Sequence, residues 1–221
     1  MNRRDFCQST LLAATAGALL PARQLFAALQ EIGGDVDAMT LAGKQATIRQ
    51  AAVQEFADAL NGPLLLPGNA AYDQARLVRN AGIDKYPALI VQPSGEADVS
   101  SAVQFARDNQ LVIAVKCGGH STAGLSTCDG GMMIDLSAMR YVRVDPKDKV
   151  AFVSGGSLLG AMDHEAMAHG LVTVAGTVSH TGVGGLATGG GFGRLARRYG
   201  LSLDNLRGLD VVSADGRLRH A

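Results

Sequence analysis

Between residues 40 and 61, apolar side chains recur at helical spacing. Ile48, Ala52, Val53, Phe56, Ala59 and Leu60 form a stripe that stops at Asn61-Gly62-Pro63. This predicts a helix over 40–61. Pro67-Gly68 then marks a turn, and a second short helical segment runs through Asn80. The pattern next changes to short apolar runs. "PALIVQP" (87–93) is bracketed by prolines and reads as a strand. Ser94 is the expected N-cap of a helix whose stripe is Val99, Ala102, Val103 and Ala106, and "LVIAVK" (111–116) is the strand that follows. Strand, helix and strand make a βαβ unit, so the two strands should be parallel with a right-handed crossover.

Beyond that unit, "GGMMIDLSAM" supplies a third strand, and "YVRVD" with "VAFVSGG" reads as a hairpin turned through 146–148. A helix over 158–169 ends at Gly170. A last hairpin, turning at Ala214-Asp215-Gly216, has a second strand that hardly begins before Ala221. The expected class is α+β: a small βαβ subdomain followed by a second, mainly antiparallel α+β subdomain.

Composition narrows the function classes. Lys+Arg and Asp+Glu balance at 20 each, so there is no overall basic footprint for nucleic acid or an anionic membrane. An anionic ligand would have to be held locally. The chain starts differently from how it continues: "MNRRDFCQST" leads into "LLAATAGALLPA", the layout of an export signal. Arg3, Arg4 and Phe6 resemble the twin-arginine type, which implies the twin-arginine translocase as partner and a periplasmic or secreted location. The apolar stretch is shorter than the ~20 residues of a membrane span. The expected division is 1–27 signal, 28–82 helical lead-in, and 83–221 main domain. Cys7 falls in the signal. Cys117 and Cys128 read as two small, partly buried thiols, and with one histidine between them they do not make a zinc site.

Of the 28 glycines, ten lie in two clusters, "GGHSTAG" (118–124) and "GVGGLATGGGFGR" (182–194). Backbone without Cβ can approach a ligand closely and turn successive N–H groups toward one anion, so a diphosphate is the natural guest. The second cluster fits G-x-G-x-x-A twice, with Asp204 following, but it comes too late in the chain for a Rossmann fingerprint. Tight helix–sheet packing is the competing explanation. His120 can be read as a cofactor tether, a loop cap or a phosphate donor, and Ser121 and Thr122 as phosphate partners or turn residues. His164 and His169 read as helix-surface and C-terminal-turn residues, whereas His180 immediately precedes the second cluster. No G-x-S-x-G elbow or P-loop is present.

Taken in order, "PGNAAYDQARLVRN", "PALIVQPSGEADVSSAVQFAR", "VIAVKCGGHSTAG", "GGMMIDLSAM", "GGSLLGAMDHEAMAHGL", "VGGLATGGGFGRLARRYGLSLDN" and "DVVSADG" resemble the berberine-bridge-enzyme-like branch of the vanillyl-alcohol-oxidase superfamily, FAD-linked oxidases with a PCMH-type FAD-binding domain. The resemblance implies that Gly118, Gly119, Ser121 and Gly124 wrap the FAD diphosphate and that His120 bonds covalently to the flavin 8α carbon. It places Gly182, Gly184, Gly185, Gly189, Gly190 and Gly193 on the second wall and Val211 beside the adenine. Lys116 and Cys117 replace a more usual Arg-Ser pair, keeping a positive charge near the phosphates. Val178 stands where some relatives carry a second, cysteine tether, which implies a single His120 bond. Such enzymes add a substrate domain and commonly a catalytic tyrosine beyond the region matched here, so the sequence reads as the FAD-binding portion, incomplete at the C-terminus. The implied chemistry is hydride transfer from an alcohol- or sugar-like donor to flavin, with O₂ as acceptor. The alternative is a flavin-binding remnant without turnover. No catalytic base can be named, and no metal is implied.

Overall fold

A computed structural model describes residues 32–221. The expected twin-arginine signal (1–27) and Cys7 lie outside the described residues. The described chain opens with a hairpin, β1 (Val36–Met39) and β2 (Gln45–Ile48), in antiparallel register from Val36 opposite Ile48 to Met39 opposite Gln45. This corrects the predicted helix over 40–61. Gly43, at φ 70°, reverses the chain inside that span, and Thr40 ties the turn through its main-chain and hydroxyl contacts to Lys44 at 2.9 Å. Ile48 belongs to the strand, so the helical stripe begins only at α1 (Gln50–Ala59). That helix buries Val53 and Phe56.

The main sheet has the order β3-β4-β6-β5, from β3 (Leu64–Leu65), β4 (Leu89–Val91), β5 (Ile113–Lys116) and β6 (Met132–Asp135). Between them lie α2 (Tyr72–Arg76) after β3 and α3 (Glu96–Asp108) after β4. The two strands of the predicted βαβ unit are parallel, but they are not neighbours. β6 lies between them and pairs in parallel with both. Its run "MMID" is buried at every position, apolar through Met132, Met133 and Ile134 and ending on Asp135, and so takes the doubly buried central position.

Side chains of the central strands alternate between two cores. Leu89, Val91, Met132 and Ile134 face Val53, Phe56, Ala102 and Ala106 of α1 and α3, where Phe56 and Phe105 stack at 4.1 Å. Ile90 and Met133 face Leu65, Tyr72 and Ala75. Full burial of each such Leu, Ile or Met contributes about 1.5–3 kcal/mol. Asp98 closes the α3 N-terminus: its carboxylate accepts from Ser94 N and Oγ, both at 2.9 Å, and from Asn61 N and Gly62 N at 3.0 and 2.9 Å. Ser94 therefore bonds Asp98, and Gly95 occupies the cap position.

The rest forms a second region: β7 (Val142–Asp145) paired with β8 (Val150–Val153), α4 (Leu159–Met167), α5 (Val183–Thr188), α6 (Ala196–Tyr199), and β9 (Asp210–Val212) paired with β10 (Leu218–His220). The last hairpin is more developed than its sequence indicated, with three residue pairs from Leu218–Val212 to His220–Asp210. Its turn is held against α3, where Arg107 Nη1 donates to Asp215 O at 3.0 Å and Ser100 Oγ donates to Gly216 O. Among the described residues, no helix is long and apolar enough to cross a membrane.

Candidate functional site

The sheet delivers its β5 edge directly into the first glycine cluster. β5 ends at Lys116, and the chain then passes Gly119 at φ 66° before reaching His120. Main-chain contact joins this loop to the second cluster about 60 residues later. A Cβ on Gly118 would overlap Gly182 N and lie 3.0 Å from His180 O, and one on Gly182 would overlap the Cys117 thiol. Leu158 and Gly182 bridge the same seam to the α4 side. Close packing therefore explains part of the glycine signal. Gly184 lies against Gly155 O, Gly189 against Gly185 O, and Gly193 against the Ala175 main chain.

Other glycines remain open. Among the described residues, nothing lies within 4 Å of a Cβ built on Gly185, and one on Gly190, at φ 107°, meets only Leu201 at 3.7 Å. The N–H groups of residues 119–122 and 190–193 make no hydrogen bond among the described residues. Two runs of unengaged donors at a glycine-lined seam are the chemistry that a dinucleotide diphosphate requires. The residues fit such a guest.

Ser121 and Gly124 shape the first loop from within. Ser121 Oγ accepts from Leu125 N at 3.1 Å, Ser121 O accepts from Gly124 N at 3.1 Å, and Gly124, at φ 72°, packs on Ile83. Val211 lies farther along on β9, opposite Arg219, on the hairpin docked to α3.

Lys116 departs from its expected place. It is buried, with Nζ donating to Ala75 O and lying 3.2 Å from Asp135 Oδ2. Asp135 also accepts from Gln92 Nε2 at 3.0 Å and Ser137 N at 3.1 Å. Side chains alternate along β5, so the Lys116 ammonium turns into the sheet and its charge is taken up there rather than at the phosphates.

His120 is half-buried, and its partner is one the sequence did not assign. Nε2 lies 2.6 Å from Nδ1 of His180, with the ring centroids 4.7 Å apart. Nδ1 has Thr181 Oγ1 at 3.5 Å. Burial lowers the His120 pKa below the ordinary histidine value, and the His180 and Arg79 charges add to that, against a smaller opposing effect of the His180 carbonyl. The ring is neutral at neutral pH. The available sequence signal was the position of His180 just ahead of the glycine cluster; nothing pointed to Arg79 or Thr181.

Among the described residues, Cys117 and Cys128 are free thiols. Cys117 Sγ lies 3.6 Å from Ser157 O, and burial raises its pKa. Cys128 is pushed up to about 11, again chiefly by burial. Among the described residues, no group of three or more His, Cys, Asp or Glu could hold a metal ion.

A parallel-core sheet feeding a glycine-lined seam, with a neutral histidine at its mouth, defines a cofactor-binding α+β domain. The family model described as "FAD binding domain" matches residues 87–221, and the chain belongs to that family of FAD-linked oxidoreductases. It is 39% identical over 140 residues to berberine bridge enzyme-like D-2 of Nicotiana tabacum, covering 60% of this chain and 24% of that protein. Among solved structures, 6-hydroxy-D-nicotine oxidase from Arthrobacter nicotinovorans superposes with a TM-score of 0.72 at 33% identity, covering 73% of this chain and 36% of that one. A chitooligosaccharide oxidase superposes with a TM-score of 0.71 at 32% identity, covering 77% and 37%. The chain thus spans between about a quarter and somewhat over a third of the length of these relatives, and the matched part is their FAD-binding portion. FAD is the cofactor.

Proposed function

We propose that this chain is the FAD-holding part of an oxidase and that His120 tethers the flavin. The observation that carries the reading is the joining of the two glycine clusters into one seam, with unengaged N–H donors at 119–122 and 190–193 and a neutral His120 beside them. On this reading, residues 118–121 and 189–193 receive the diphosphate. Gly182, Gly184 and Gly185 line the wall, Gly124 sets the loop, and Val211 borders the adenine side. Bound FAD supplies a hydride acceptor that O₂ can reoxidise. The chain's own residues orient it, exclude water along the packed seam, and hold His120 uncharged. A single tether is consistent with Val178, which offers no thiol ahead of the second cluster. The donor class is an alcohol or sugar, in keeping with the chitooligosaccharide oxidase among the structural relatives. Export through the twin-arginine translocase to the periplasm, or secretion, rests on Arg3, Arg4 and Phe6.

The test is acid precipitation of the purified protein followed by flavin absorbance of the washed pellet. Flavin in the wild-type pellet and its absence in His120→Ala support the tether. Flavin only in the supernatant removes the tether and keeps FAD binding, and no flavin in either fraction removes both.

A further inference from the structure

The 2.6 Å contact between His120 Nε2 and His180 Nδ1 requires a proton between two ring nitrogens. Two arrangements of neutral rings satisfy it. If His180 donates, the remaining proton of His120 sits on Nδ1 and faces Thr181 Oγ1 at 3.5 Å, the outer limit of a hydrogen bond. If His120 donates from Nε2, its Nδ1 carries only a lone pair, into which the Thr181 hydroxyl can point. The His180 carbonyl can also receive a ring N–H, so both arrangements have acceptors; the second is the one that leaves the Nδ1 lone pair available, as attachment through that nitrogen requires. The charged and titratable groups acting on the ring are His180 and Arg79, and both oppose a positive charge on it.

We infer that His180 is a positioning residue for flavin attachment: it holds His120 as the Nε2–H tautomer, presents Nδ1 as the nucleophile toward the 8α-methyl carbon, and takes up the Nε2 proton as the bond forms. This rests on the tether reading given above. The step balances. One 8α C–H bond breaks with its proton going to solvent, the Nδ1–C bond forms, and the C–H electron pair passes into the isoalloxazine ring. Without an acceptor, the alkylated His120 would be left as a cation beside Arg79. His180 Nδ1 removes that charge by accepting the second proton, and dioxygen then reoxidises the ring, leaving as H₂O₂. His180 is exposed, so it can pass the proton on to water.

Two measurements on the 221-residue chain test this. The first is ¹⁵N-histidine NMR without flavin near neutral pH. It should show His120 as the Nε2–H tautomer, and His180→Ala should mix the tautomers and raise the His120 pKa. An Nδ1–H tautomer in the wild type overturns the inference. The second follows acid-insoluble flavin against time after adding FAD. His180→Ala should slow attachment on the order of 100-fold at neutral pH, with the gap narrowing as pH rises because solvent then takes the proton. His180→Gln, which keeps an acceptor but takes no proton, should hold the tautomer without restoring the rate. Equal attachment by wild type and His180→Ala at every pH overturns the inference and leaves the tether standing. No attachment in either, with FAD bound reversibly, overturns the tether and this role together.

Discussion

Replacing Lys116 with Met separates two accounts of this residue, one at the phosphates and one within the sheet. Its ammonium is buried between Ala75 O and Asp135, and Asp135 is 1% exposed, with Gln92 Nε2 and Ser137 N as its other donors among the described residues. Lys116→Met leaves that carboxylate charged and short of its cation. Removing one member of a buried pair costs about 3–5 kcal/mol, because the stranded charge is expensive. For a domain of this size, each kcal/mol lowers Tm by roughly 2–4 °C, so the loss is about 6–20 °C. In Lys116→Met/Asp135→Leu both charges are gone, and about half or more of the loss should return, since a buried pair is often no better than an apolar replacement. The assay is thermal unfolding of wild type, both single variants and the double variant, alongside FAD titration at low and high salt. Folded Lys116→Met protein should bind FAD with wild-type salt dependence. An unchanged Tm, together with weaker FAD binding that loses its salt dependence, would refute the buried placement.

Asp98→Ala should cost about 3 kcal/mol in urea or thermal unfolding, because three main-chain N–H groups and the Ser94 hydroxyl lose their acceptor. Burial pushes the Asp98 carboxyl up, but its four donors outweigh that and hold it below the usual carboxylate range. Its contribution is therefore fully present above the unfolded value near about 4 and is lost as pH falls from there through the folded value; the acid limb of a Tm-versus-pH profile should flatten in Asp98→Ala. Gly182→Ala drives a Cβ into Cys117 Sγ and Gly118 N and should cost about 1–3 kcal/mol and loosen FAD; Cys117→Ala should relieve only part of this, because the main-chain overlap remains. Cys128, buried and with its pKa near 11, should resist iodoacetamide at pH 8 in folded protein and react on unfolding, as read by mass spectrometry.

Much of the fold was legible in the chain because it depends on local rules. The apolar run of β4, the α3 stripe and the glycine stop after α4 lie in or beside the elements they specify, and each appears where the sequence put it. The co-linear series of motifs from "PGNAAYDQARLVRN" to "DVVSADG", rather than either glycine cluster alone, named the family, which the match over 87–221 shows. The failures share a cause: each depended on a pairing partner outside the segment being read. The helical stripe through Ile48 was indistinguishable from a strand face until β1 supplied the partner for 45–48. The insertion of β6 between β4 and β5 is a matter of non-local pairing that strand sequences alone do not state.

The same division holds at the site. The sequence by itself determined that a glycine loop carries His120 off the end of a strand, because backbone geometry and residue type suffice for that. Only the tertiary structure decided that Lys116 is spent on Asp135, that Gly118 and Gly182 touch, and that His180 meets His120 at 2.6 Å. Charge and proton placement depend on what lies within a few ångströms, and those neighbours come from segments 19 to 64 residues away that the sheet and its loops bring together.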